Sequence, residues 1–231
     1  MADQGSVGDG VVRFKALCID ARDPVAVATF WATALHLLAD QLDDGDIVLR
    51  GRTSTDDVWL NHVDPVPAEQ RVALTVGGDA QLVSDLVALG GGVLRGREEP
   101  TDPWALRDPE GGVLYVVPDE RGLREVMVDA ADPEALARWW AAMLGGVAAA
   151  ASGGGWYVAD VPAAPFAALR FVAGGGQRQA KIRTHWDVDG DYEDVLARGA
   201  TLVRRRDDEI DWDICADPEG NEFCVFAEER P

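Results

Sequence analysis

The side chains that most often carry chemistry near neutral pH are scarce in this chain: three histidines, His36, His62 and His185, and three cysteines, Cys18, Cys215 and Cys224. The cysteines are odd in number and lack a C-x-x-C spacing, so they build neither a disulfide framework nor a zinc ribbon, and a reducing, cytoplasmic setting is expected. Strand alternation makes the neighbourhood of His185 the most informative. If Ile182, Thr184 and Trp186 pack inward, then Arg183 and His185 share the opposite face. The same alternation groups Glu222, Cys224 and Phe226, and groups Glu125, Met127 and Asp129. Glu125, Arg183, His185 and Glu222 thus form a candidate polar cluster able to orient a ligand, supply a general base or contribute donors to a cation. The competing account is an ion pair between Glu125 and Arg183 with His185 solvated at a strand end. Both stay open on the sequence. Of the eight tryptophans, Trp31, Trp139 and Trp140 sit on helix faces and read as core. Trp59, Trp104, Trp156, Trp186 and Trp212 lie on strands or their edges, where an aromatic can wall a cavity as readily as fill a core.

The elements that must hold these residues repeat. Asp23-Pro24 followed by Phe30-Trp31 matches Asp132-Pro133 followed by Trp139-Trp140, and Asp108-Pro109-Glu110-Gly111 matches Asp217-Pro218-Glu219-Gly220, both at an offset of 109 residues. Two homologous halves follow, over residues 12–118 and 123–228, behind an expected flexible tail at residues 1–11. Each half reads as two units of strand, helix and three strands. Strands at 14–19 and 124–128 run into Asp-Pro helix starts, with Asp23 and Asp132 as N-caps and Pro24 and Pro133 at the first helical position. Shorter strands are expected at 46–50, 58–62, 155–159 and 168–172. A second unit follows in each half, with helices at 80–89 and 192–198. Asp-Pro-Glu-Gly supplies a hairpin before each closing strand, at 113–117 and 222–226. His36 falls at a helix end, where it is cap-like or solvated.

A length of 231 residues suffices for two small domains, and 41 acidic against 21 basic side chains give a formal charge of -20. That charge repels phosphate backbones and anionic lipids, so neither nucleic acid nor a membrane is an expected partner. No apolar run is long enough to span a bilayer, and the glycine clusters form neither G-x-G-x-x-G nor a Walker loop. Arg204-Arg205-Arg206 followed by Asp207-Asp208-Glu209 reads as a solvated, self-neutralising hairpin.

The strings Cys18-Ile19-Asp20-Ala21-Arg22-Asp23-Pro24 and Val128-Asp129-Ala130-Ala131-Asp132-Pro133, and above all the closing run from Trp212 to Val225, resemble the vicinal oxygen chelate superfamily of glyoxalase, bleomycin-resistance and extradiol dioxygenase-like proteins. The resemblance implies an α+β fold of four βαβββ modules forming two tandem glyoxalase-like domains with curled mixed sheets around a cavity. It also implies where metal ligands would stand. The first-strand positions map onto Ala16 and Glu125, and the closing-strand positions onto Tyr115 and Cys224. The remaining first strands offer Ala73 and either Ile182 or Arg183. One carboxylate among such residues is too few for a hard cation, which needs three or more converging donors. No metal and no cofactor are therefore expected.

The function this favours is metal-free binding or sequestration of a hydrophobic or aromatic metabolite or antibiotic in a cleft. The candidate ligand-binding residues are Glu125, Arg183, His185, Glu222, Cys224, Trp156, Trp186, Trp212, Trp59 and Tyr115. The second half is the expected working half, because Ala16, Ala73 and Val113 leave the first without charge at the matching positions. The alternative is a diverged glyoxalase-like lyase, isomerase or dioxygenase. A homodimer is compatible with the sequence.

Overall fold

The computed structural model describes residues 10–43, 45–67, 70–174 and 181–227. Most of the tail expected at residues 1–11 lies outside them. Among the described residues the chain forms sixteen strands in two eight-stranded sheets, with four α-helices, and neither sheet closes into a barrel. The chain divides into two compact units: an N-terminal one of Ala16–Met127 with Ile182–Thr184, and a C-terminal one holding the rest.

In the N-terminal unit, β1 (Arg13–Ala21), α1 (Pro24–Leu35), β2 (Leu38–Gln41), β3 (Ile47–Arg50) and β4 (Val58–His62) form the first module; the first three residues of β1 are counted with the other unit. β5 (Val72–Gly78), α2 (Ala80–Ala88), β6 (Gly92–Arg95), β7 (Trp104–Arg107) and β8 (Val113–Pro118) form the second. Each module is a quartet in which the opening strand pairs in parallel with the closing one and the middle strands complete an antiparallel meander, in the orders β1-β4-β3-β2 and β5-β8-β7-β6.

The C-terminal unit repeats the plan. β9 (Gly122–Ala130), of which only the last three residues belong here, leads to α3 (Pro133–Leu144), β10 (Val147–Ala150), β11 (Trp156–Ala159) and β12 (Ala168–Ala173). β13 (Thr184–Asp189), α4 (Tyr192–Ala197), β14 (Thr201–Arg204), β15 (Trp212–Ala216) and β16 (Glu222–Phe226) follow. Their orders are β9-β12-β11-β10 and β13-β16-β15-β14. The strands that the sequence pattern does not mark are β2 and β10, the outermost of their quartets. All of β2 is exposed and β10 is at most half-buried, so no burial enforces a period of two along them.

The repeated motifs have repeated jobs. Asp23 and Asp132 cap α1 and α3 by accepting from Ala26 and Ala135 at 3.0 Å each, with nearly identical backbone angles. In the N-terminal unit the hairpin carboxylate Asp108 Oδ2 accepts from the buried Trp31 Nε1 at 3.0 Å, and Glu110 accepts from the backbone amides of Arg22 and Asp23. In the C-terminal unit Asp217 Oδ2 accepts from Trp140 Nε1 at 3.2 Å, and Glu219 accepts from the amides of Ala131 and Asp132. Asp-Pro-Glu-Gly is therefore a clamp that ties the closing hairpin of one module to the helix start of the other. Its glycines, Gly111 and Gly220, take φ of 95° and 86°, as the turn demands.

One pair of copies differs in a way that costs stability. α3 ends on Gly145 in the left-handed region, whereas α1 ends at the matching position on His36 with φ 59°. A β-carbon is disfavoured there, and replacing it with glycine relieves that strain at a smaller entropic cost. His36→Gly is expected to raise stability by about 0.5 kcal/mol, read as a higher urea midpoint at unchanged m-value; a lower midpoint would show that the His36 ring contributes more than its backbone costs.

Candidate functional site

The closing quartet of the C-terminal unit presents two faces of opposite character. Toward the helices it buries Phe223 and Trp186, whose rings pack edge-on to Trp140 of α3 with centroids 5.1 and 4.8 Å away. The other face is a grid of three strands. Register places Trp212, Phe226 and Asp189 in one row and Ile214, Cys224 and Asp187 in the next; Ala216 and Glu222 continue it, with His185 two residues before Asp187 on the same side of β13.

The row of Trp212 is the aromatic end. The Trp212 and Phe226 rings lie 5.4 Å apart at 31°, both half-buried. Lys15 Nζ stands 4.7 Å from the centre of the Phe226 ring and pairs with Asp189 Oδ1 at 3.0 Å. The far end is polar. His185 is only 7% exposed, and among the described residues it has no hydrogen bond, ion pair or ring contact. Its nearest ring nitrogen lies within 4.8 Å of an Asp187 carboxylate oxygen, which makes two potential donors to a cation on one strand. Glu222 is half-buried and Cys224 buried beside them. Cys215 faces the opposite way, and burial pushes its thiol up to about 11, so it is no nucleophile at neutral pH.

Four of the residues singled out from the sequence thus share one face: His185, Glu222, Cys224 and Trp212. The others stand elsewhere. Arg183 is in the core of the N-terminal unit, where its Nη1 meets Asp108 Oδ2 at 2.8 Å, its Nε donates to the Asp20 carbonyl at 2.8 Å, and its Nη2 lies 3.6 Å from Glu110. Its carboxylate partners are Asp108 and Glu110 rather than Glu125. Glu125 is half-buried on β9 in the N-terminal unit and makes no hydrogen bond or ion pair among the described residues. Trp186 packs on the helix side, as does Trp156, whose ring lies 4.8 Å from the Arg138 guanidinium of α3. Trp59 and Tyr115 lie half-buried in the N-terminal unit, paired across strands with Cys18 and Ala105.

Two residues of the grid, Asp187 and Asp189, and Lys15 of β1 beside it were not singled out as ligand contacts. The spacing His185-x-Asp187-x-Asp189 on a strand carried the signal for the first two, whereas nothing local marks Lys15. The arginine hairpin is self-neutralising only in part. Arg204 pairs with Asp207 and Glu209, but Arg205 and Arg206 reach the buried Asp213 at 3.1 and 3.0 Å.

The matching face of the N-terminal unit has Val113, Tyr115 and Val117 where the grid has Glu222, Cys224 and Phe226, and Thr75 beside Tyr115. It carries no carboxylate or imidazole on these strands.

Comparison with known proteins agrees with this architecture. The family model described as glyoxalase-like domain matches residues 16–117 and again 125–226, the second match displaced by the same 109 residues as the repeat. Glyoxalase I from Zea mays superposes with a TM-score of 0.66 at 14% identity, covering 93% of this chain and 92% of that one. A putative dioxygenase from Bacillus subtilis superposes with a TM-score of 0.63 at 11% identity, covering 96% and 87%. Comparison with curated proteins gives no match. At such identities the structural likeness speaks for the fold alone, while the two family matches span most of the sequence. The chain belongs to the glyoxalase-like domain family, as two tandem copies within the vicinal oxygen chelate superfamily.

Proposed function

We propose that the protein binds a small, planar, largely apolar molecule on the grid face of β13, β15 and β16, without requiring a metal or other cofactor. The observation that carries this reading is the half-buried Trp212–Phe226 pair lying in the same sheet face as a buried histidine that has no partner among the described residues. Apolar surface with a few polar groups at one end suits such ligands, the aromatics supplying contact area and the polar end orientation. Its setting among glyoxalase-like domains supports small-molecule chemistry without choosing between binding and catalysis. The reading also takes the site to work in a reducing, cytoplasmic setting; among the described residues no helix is long and apolar enough to cross a membrane.

Native mass spectrometry of the freshly purified protein, with tryptophan fluorescence titration of whatever is retained, tests the reading. Trp212→Ala is expected to weaken binding by about tenfold to a hundredfold, the loss of a central aromatic contact, while far-UV dichroism stays unchanged. Binding that survives chelator treatment, with far less than one metal per chain by elemental analysis, is the expected accompaniment.

A second reading, that the chain is a lyase, isomerase or dioxygenase of this family, is favoured by one observation: His185 and Asp187 set an imidazole and a carboxylate close enough to donate to one cation. About one tightly held metal per chain, lost in His185→Ala, would establish it over the first.

A further inference from the structure

Resting on the reading of the grid as a ligand-binding face, we infer that its aromatic end is a seat for an organic ammonium group, which Lys15 fills in the unliganded protein. Lys15 Nζ shows what the seat selects: a cation held 4.7 Å over the Phe226 ring and 3.0 Å from Asp189 Oδ1. Trp212, tilted against Phe226, adds a second π face beside it. Aromatic faces attract cations through their quadrupole, and indole does so best.

The rest of the face has the same preference. Asp187 and Glu222 put two further carboxylates on it, and a molecule of net charge -20 concentrates cations and repels anions near its surface. Two cations at its margins are paired, Lys15 to Asp189 and Arg204 to Asp207 and Glu209. His185, nine-tenths buried and without a partner among the described residues, remains available to a polar group at the other end of the ligand. Lys15 is tethered on β1 yet 40% exposed, and exposed ion pairs are weak, so an incoming ammonium can displace it.

Calorimetric titration with three probes of one shape decides the matter: 1-naphthylmethylammonium, 1-naphthylmethanol and 1-naphthoate. The ammonium is expected to bind about tenfold more tightly than the alcohol, the scale of a partly desolvated cation–π contact with a carboxylate nearby, and the naphthoate most weakly. Lys15→Met, which keeps the stem and removes the charge, is expected to tighten ammonium binding about fivefold and to leave the alcohol within twofold. Asp189→Asn and Phe226→Leu should each reduce the preference for the ammonium. Equal binding of ammonium and alcohol, or weaker ammonium binding in Lys15→Met, overturns the seat but leaves the small-molecule reading standing. Failure of all three probes at millimolar concentration, or binding indifferent to Trp212→Ala, overturns that reading together with the seat.

Discussion

Arg183→Ala is expected to destabilise the protein by about 3–5 kcal/mol, the cost of leaving a buried charge without its partner. The Arg183 and Asp108 side chains are 1% and 0% exposed, so removing the guanidinium strands a carboxylate out of reach of water. The repeat shows how that loss can be repaired. In the C-terminal unit Asp217 receives its second side-chain donor from Asn221, whose Nδ2 lies 2.8 Å from Oδ2. The matching residue in the N-terminal unit is Gly112, and a β-carbon there would run into Arg183 Nη1. Glycine makes room for arginine in one copy, and asparagine does the work itself in the other. Gly112→Asn alone should therefore destabilise, whereas in the Arg183→Ala background it should restore about 1–2 kcal/mol by supplying an amide donor to Asp108. Urea unfolding of the four proteins in this double-mutant cycle reads the change of sign directly. A cost below about 1 kcal/mol for Arg183→Ala, or a Gly112→Asn effect of the same sign in both backgrounds, would show that the pair is not what holds Asp108.

The second large effect is expected at Trp140. This side chain is fully buried, meets Trp139, Trp186 and Phe223 edge-on at 4.7 to 5.1 Å, and donates to Asp217. Trp140→Ala should cost about 3–5 kcal/mol, close to the whole margin of many domains. Trp140→Phe keeps most of the packing and removes the donor, for about 1–2 kcal/mol at neutral pH. The pH dependence of that smaller loss has a definite sign. Burial pushes the Asp217 carboxyl above its ordinary value, against the donors Asn221, Trp140 and Glu219 that pull it down. A raised carboxyl pKa in the folded state stabilises below the ordinary value, and that contribution disappears as the pH rises through the folded-state value. Losing the indole donor raises the pKa further, so the penalty of Trp140→Phe should be smaller near pH 4 than near pH 7. Equal penalties at the two pH values would mean that Asp217 holds the same charge in both.

Much of this molecule was fixed by local chemistry that a sequence displays. The offset of 109 residues, the Asp-Pro helix starts and the Asp-Pro-Glu-Gly hairpins named the modules and their order, because caps and turns depend on residues a few positions apart. Alternation likewise put Glu222 and Cys224 on one face and told His185 apart from Trp186, since neighbours in a strand must point opposite ways. What alternation leaves open is which side of a strand the helices cover and which distant residue fills a polar partner's place. Trp156 and Trp186 obey the same period as Trp212, yet packing against Arg138 and Trp140 of α3 turned them toward the helices. Arg183 had a carboxylate candidate in Glu125, but its partner is Asp108, 75 residues away in sequence and marked only by a glycine four positions on. Lys15 is the same case, reaching Asp189 across 174 residues. Such pairings follow from strand register and from the space neighbouring side chains leave, both of which come into existence only when the chain has packed.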